Sequence, residues 1–275
     1  MNLVTKTIYY DTLILSHFRN KNFKPLPNTT LNEKFSINKD LNIRVETPTL
    51  KYFAIGNGNL KTIDAEENMK LYHGNHRCID AALFNHIPFV LRKEGEDIDF
   101  NARKKYRLRK RMIINNENYI AYYLKVIPDD MVQNQIIKIT QETDTMPKIE
   151  PFNTNDSTLL NPEPYANTIT EIINDYTEFV TNSDQISLIL TVEEMIEVMN
   201  AMLILNIPVE DRIINEICLC SGTDVVDLST YEVEVAYSQV MFFLDVDYDI
   251  QLLLSNNEEF FRQVEIGGMQ ALMLG

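Results

Sequence analysis

The sequence predicts an α+β protein, mostly antiparallel strands with a few helices, in two parts joined by a proline-rich linker. Three observations carry this expectation. Short runs rich in β-branched and aromatic residues are bounded by Gly, Asn and Pro, the pattern of strands and turns. Apolar residues recur at helical spacing behind a capping box that runs from Thr191 to Glu194. From Gln141 to Asn167 the text QETDTMPKIEPFNTNDSTLLNPEPYAN holds prolines 147, 151, 162 and 164 and no sustained period. Each proline removes a backbone donor and biases the preceding residue toward extended backbone. The expected division is a basic β-rich domain at 1–141, a linker at 142–167 and an acidic α+β domain at 168–275.

In chain order, Lys51–Ile55 (KYFAI) reads as a strand running into a turn at GNGN. Asp80–His86 reads as a short helix capped by Asp80 and ended by Pro88, with Phe89–Arg92 extended after it. Asp99 or Asn101 can cap one further turn. The most readable segment is KKYRLRKRMIINNENYIAYYLKVI, Lys104–Ile127, two strand-like runs around NNEN at 115–118, the composition of a hairpin turn with Asn available for positive φ. Strand alternation puts Lys105, Arg107, Arg109 and Arg111 on one face and Tyr106, Leu108 and Met112 on the other, with Lys110 breaking the apolar face.

In the second part a helix is expected over about 192–205, ended by Asn206 and Pro208. Ile213–Cys220 (IINEICLC) is short enough for a buried strand, although periodicity alone does not exclude a helix there. Tyr231–Leu254 and Phe260–Ile266 read as further strands.

Composition narrows the function classes. The 275 residues are 45% hydrophobic and 24% charged, the balance of a globular chain. Cys78, Cys218 and Cys220 are too few and too unevenly spaced for a disulfide framework, so a reducing compartment is expected. The amino-terminal text shows no apolar run behind a basic start, and no stretch approaches the roughly 18 apolar residues of a membrane helix. The net charge of −15 is unevenly placed: residues 1–150 carry 23 Lys and Arg against 18 acids, net +5, and residues 151–275 carry 2 against 22, net −20.

No reaction centre stands out. His73, His76 and Cys78 lie within YHGNHRC, but a zinc site wants four ligands, and Cys218 and Cys220 sit in an apolar strand. Asp245, Asp247 and Asp249 resemble half a calcium loop, yet Ile250 and Asn256 stand where its Gly and bidentate Glu belong. Gly56-Asn57-Gly58 lacks the rest of a phosphate cradle. The expectation is therefore a non-enzymatic chain with no cofactor and no metal.

Seven cations fall within Arg103–Arg111. The row Lys105, Arg107, Arg109, Arg111 has three readings: an interface to an acidic protein surface, a solvated sheet face, or a set of phosphate contacts. The excess negative charge elsewhere weighs against nucleic acid as the main partner. A protein interface at these four residues is the favoured reading, a nucleic-acid-binding strand at 103–111 the runner-up, and a metal-dependent enzyme third.

The segment HRCIDAALFNHIPFVLRKEGEDIDFNARKKYRLRK (His76–Lys110) with NYIAYYLKVI (Asn118–Ile127) resembles a family of structural proteins of large contractile-tailed bacteriophages. IINEICLCSG (213–222) and VEIGGMQALML (264–274) resemble that family's later landmarks. The resemblance implies a virion component at the neck or baseplate, part of a homo-oligomeric ring or wedge that contacts other virion proteins. It also implies assembly in the host cytoplasm without a membrane, and it brings no catalytic residue.

Overall fold

The computed structural model describes residues 4–18, 23, 25–37, 47–65, 68–142, 148–155, 157–160, 176–226 and 232–267. In order these form β1 (Val4–Lys6), α1 (Ile8–Phe18), α2 (Leu31–Phe35), β2 (Thr49–Gly56), β3 (Leu60–Ala65), β4 (Asn68–His73), β5 (His86–Ile87) and β6 (Val90–Lys93). They continue with α3 (Phe100–Arg103), β7 (Tyr106–Ile114), β8 (Glu117–Val126), β9 (Val132–Glu142), β10 (Lys148–Pro151) and β11 (Tyr176–Leu190). The chain closes with α4 (Val192–Ile204), β12 (Ile213–Val226), β13 (Val233–Asp249), α5 (Ile250–Ser255) and β14 (Phe260–Gly267). The expected α+β class, mostly antiparallel, is what the structure has. Among the described residues no helix is long and apolar enough to cross a membrane.

Two compact units emerge, and their boundary differs from the expected one. The first unit comprises Met1–Ile127 with Ile189–Phe260, the second Pro128–Leu188 with Phe261–Gly275. The first holds a sheet in the order β1-β13-β12-β2-β8-β6, with β5 added on β2 and β7 on β8. Strand β2, from the expected basic domain, pairs with β12, from the expected acidic one, from Glu216↔Gly56 to Gly222↔Thr49. Residues on both sides of the proline-rich segment therefore build one core, and 1–141 is not a separate domain. The second unit is a sheet in the order β10-β9-β11-β14. Part of the expected linker is strand: β10 lies at 148–151 on β9, with Pro151 at its end, where a missing donor costs least. Residues 143–147, 156 and 161–167 of that linker, and 168–175 after it, lie outside the described residues.

Local chemistry explains the elements that matched. Asn115 and Asn116 adopt φ of 51° and 64° between β7 and β8, the left-handed pair that a two-residue hairpin requires. The backbone N–H of Glu194 donates to the Thr191 hydroxyl at 3.4 Å and that of Thr191 to the Glu194 carboxylate at 3.0 Å, so α4 starts where the capping box places it. Asp99 caps α3. Two expectations are corrected. Asp80–His86 is not a helix, because its backbone donors are taken elsewhere: Phe84 and Asn85 N–H donate to Glu216, and Leu83 N–H to His86 Nε2. Ile250–Ser255 is a helix rather than a strand, since Asp249 accepts from the N–H groups of Gln251 and Leu252 and turns the chain.

The core of the first unit joins Tyr52 and Ala54 of β2, Leu108 of β7, Ala121 and Leu124 of β8, and Cys218 and Cys220 of β12. The sulfurs of Cys218 and Cys220 lie 3.6 Å apart, and burial pushes the Cys218 thiol well up, the environment of inert structural thiols. At the centre of this sheet sits a carboxylate. Glu216 is fully buried and accepts from the N–H groups of Gly58, Phe84 and Asn85. It also pairs with His76 Nε2 at 2.9 Å. The His76 ring is sandwiched between Phe84 and Phe243, with centroids at 4.0 and 3.9 Å. A Cβ at Gly56 would stand 2.5 Å from the Glu216 carboxylate and 2.4 Å from the Asn85 carbonyl, so only glycine fits there.

Removing this carboxylate orphans three backbone donors and a buried imidazole. Glu216→Ala is expected to lower unfolding free energy by about 3–5 kcal/mol, read as a fall in the urea midpoint with an unchanged m-value.

Candidate functional site: the arginine strand and its carboxylates

Lys105 stands just before β7 and Arg107, Arg109 and Arg111 lie on it, and carboxylates of the same chain meet them. Leu108 has φ of 57°, which disturbs strict alternation and sends neighbouring side chains to different partners. Arg107, whose side chain is only 8% exposed, donates from Nε to Asp224 at 2.8 Å. Asp224 also accepts from Lys51 Nζ and from the Tyr52 hydroxyl, both at 2.7 Å. Burial opposes ionisation of Asp224, yet the hydrogen bonds from Arg107, Lys51 and Tyr52 outweigh it and hold its carboxyl below the usual range.

Arg109 donates to Asp97 at 3.0 Å, and Asp97 also accepts from Arg103 and from the Tyr122 hydroxyl. Arg103 and Arg109 share a second acid, Glu232. Cross-strand, Arg109 faces Tyr122 and Tyr106 faces Lys125. Lys125 pairs with Glu194, which accepts from the Tyr106 hydroxyl as well. Burial, reinforced by the adjoining carboxylates, pushes the Tyr52, Tyr106 and Tyr122 hydroxyls up. These tyrosines therefore act as protonated donors.

The row is thus split. Arg107 and Arg109 are built into the first unit, whereas Lys105 and Arg111 keep 62% and 73% of their side chains exposed. Arg111 pairs with Glu94 at 3.1 Å, and Lys105 stands 4.0 Å from Glu194. The expectation that all four residues face a neighbour is corrected accordingly: two are engaged within the fold, and only the outer two present their charge to solvent. Within 103–111, carboxylates of the same chain hold the Arg103, Arg107 and Arg109 guanidinium groups.

A cavity of about 60 Å³ lies against this network, lined by Phe100, Arg107, Arg109, Tyr122, Glu232 and Glu234 among others. Glu234 accepts from the Arg109 backbone N–H. Its Oε2 and Arg109 Nε are buried without a protein partner. Burial pushes the Glu234 carboxyl up to about 7, with Arg109 acting against the rise. Asp97, Asp224, Glu232 and Glu234 were not singled out by the sequence reading, which saw the acids of the last third only as net charge. The chemistry this arrangement supports is charge neutralisation and proton uptake at one carboxyl.

The other sequence candidates are dispersed. His76 is committed to Glu216, His86 accepts from Leu83 N–H, and Cys78 is exposed. Asp245 accepts from Asn59 Nδ2, Asp249 caps α5 and Asp247 is exposed. Among the described residues no group of three or more His, Cys, Asp or Glu is placed to hold a metal ion.

Glu234 makes a pH test possible. A carboxyl whose pKa is higher in the folded than in the unfolded chain binds its proton more tightly when folded. Its stabilising effect is therefore full below the ordinary value of 4.5 and is lost as pH rises from there through about 7. Glu234→Gln is expected to remove this loss. Between about pH 5 and pH 8, wild type should fall in stability relative to the variant by on the order of 2 kcal/mol, measured by urea titration at each pH.

Residues 1–275 match the model of a family described as a family of unknown function, DUF7208. No curated protein and no solved structure matches the chain. Because the match covers all 275 residues, the chain belongs to the DUF7208 family.

Proposed function

We propose that this chain is a non-enzymatic structural protein of a contractile-tailed phage particle, contributing to a ring or wedge at the neck or baseplate through contacts with other virion proteins. Assembly takes place in the host cytoplasm. The segments His76–Lys110 and Asn118–Ile127, whose resemblance suggests the family, form β5–β8 and the loops that lie on Glu216.

The observation that carries the reading is the second unit's sheet. Its buried residues, among those described, are Ile137, Ser183, Ile186, Leu188 and Val264. Apolar side chains remain exposed on both faces. Val180 pairs with Lys138, so by alternation Val180 and Ile136 share one face, while Ile149 pairs with Ile139 on the other. Ile149 is 62% exposed and Val180 45%. A sheet normally buries at least one face against another layer, and apolar residues left outside mark protein contacts. Contacts of this kind close into rings where the rotation between copies permits.

The chain should be found in purified mature particles by mass spectrometry. Ile149→Asp combined with Val180→Asp should leave the far-UV spectrum of the isolated protein unchanged and strongly reduce its incorporation. Absence of the wild-type chain from particles would overturn the reading.

A further inference from the structure

Helix α4 carries two apolar stripes. Met195, Val198, Ala201 and Met202 are buried on its inner side. Val192, Ile196, Met199 and Leu203 follow at steps of four, three and four on another side, again a helical face. Ile196 and Leu203 are 45% and 46% exposed. Packing α4 onto its own sheet does not need this second stripe.

Beside Leu203 and Ile204 an open cleft of about 430 Å³ runs between α4 and β6, with Tyr119 and Glu96 in its wall. Its surroundings favour a cationic visitor. No Lys or Arg occurs from Val192 to Asp211. The two cations at the cleft, Arg92 and Lys93, are already paired with Glu197 and Glu117. Glu96 makes no close ion pair among the described residues and acts on Arg92 and Lys93 only at longer range, leaving its carboxylate as the cleft acid open to a close cation.

The end of the β7–β8 hairpin supplies the complement. Arg111 and Ile113 are two residues apart on β7 and so share a face. Arg111 is 73% exposed in its side chain and Ile113 is 74% exposed. The Arg111–Glu94 pair is solvent-facing, and a pair of that kind exchanges at little cost.

We propose that the cleft between α4 and β6 receives the Arg111–Ile113 end of the hairpin from a second copy of this chain. Ile113 packs on Leu203 and Ile204, and Arg111 meets Glu96. The inference rests on the reading of the chain as an assembling protein and names its self-contact. Tyr119, which lines the cleft, is the cross-strand partner of Met112, the residue between Arg111 and Ile113. The hairpin end and the cleft wall thus meet at one cross-strand pair, with Arg111 and Ile113 on the opposite side of β7 from Met112. Each copy therefore presents both a donor and an acceptor surface, and the copies join in a two-fold pair or head to tail.

Sedimentation velocity across a concentration series of the full chain tests this. Wild type should self-associate, and Ile113→Asp and Leu203→Asp should each weaken association roughly tenfold or more while circular dichroism stays unchanged. Arg111→Glu and Glu96→Lys should each weaken it too, and an equimolar mixture of R111E and E96K should recover it, because every reversed charge then meets its opposite. Recovery in the mixture is a readout that misfolding of either variant does not produce. A wild-type chain that stays monomeric, or association unmoved by Ile113→Asp and Leu203→Asp, would sink the contact. Either result leaves the virion reading standing if the chain is still present in particles.

Discussion

Glu216 sets the terms on which the first unit folds. A carboxylate at the centre of a sheet is tolerable only when every lone pair is engaged, and Glu216 meets that demand with three backbone N–H groups and His76. The partners come from the turn after β2 and from the loop before β5, far from β12 in sequence. Satisfying one buried charge therefore locks two loops to the middle strand. It also explains the glycine at position 56 and the lack of helix at Asp80–His86. The Phe84 and Phe243 rings stack on either side of His76, and both the imidazole and the Glu216 carboxylate are closed to water.

The same logic recurs along β7 at lower stakes. Arg107, Arg109 and Lys125 each end on a carboxylate contributed by the last third or by the Glu94–Asp99 loop. Partly buried pairs of this type add little net stability compared with apolar packing, but removing one partner is costly. Their value lies in selection: a slip of β7 against β8 would move the arginines away from Asp224 and Asp97 and strand them. The uneven charge of the sequence is thus a folding constraint, with cations of the first part and acids of the last brought into one unit.

How much was legible in the sequence follows from how local each signal is. The β7–β8 hairpin, α4 with its capping box and the Asp99 cap all depend on residues within a few positions of one another, and all were read correctly. The capping box at Thr30–Glu33 was equally local and was passed over, although Thr30 and Glu33 make both of its hydrogen bonds. The domain division failed because prolines mark where local structure weakens, whereas the pairing of β2 with β12 depends on residues more than 150 positions apart. At the candidate site the cations were visible as a run. Their acids were not, because Asp97, Asp224 and Glu232 are scattered and only the fold brings them together. Strand alternation placed the four basic residues on one face, and the positive φ of Leu108 is what broke that equivalence.

Internal pairing of the arginines also changes the kind of contact the surface can make. A free basic row would give assembly dominated by long-range attraction, fast to form and strongly weakened by salt. With Arg107 and Arg109 neutralised at home, the exposed features are apolar side chains next to single charges: Ile113 beside Arg111, Leu203 near Glu96, Ile149 beside Lys148 and Glu150. Contacts built from such pieces draw most of their free energy from buried area, which salt hardly screens, and use the lone charges to choose orientation. In the assembly proposed above, shape and apolar burial would therefore govern docking, with electrostatics acting as the selector.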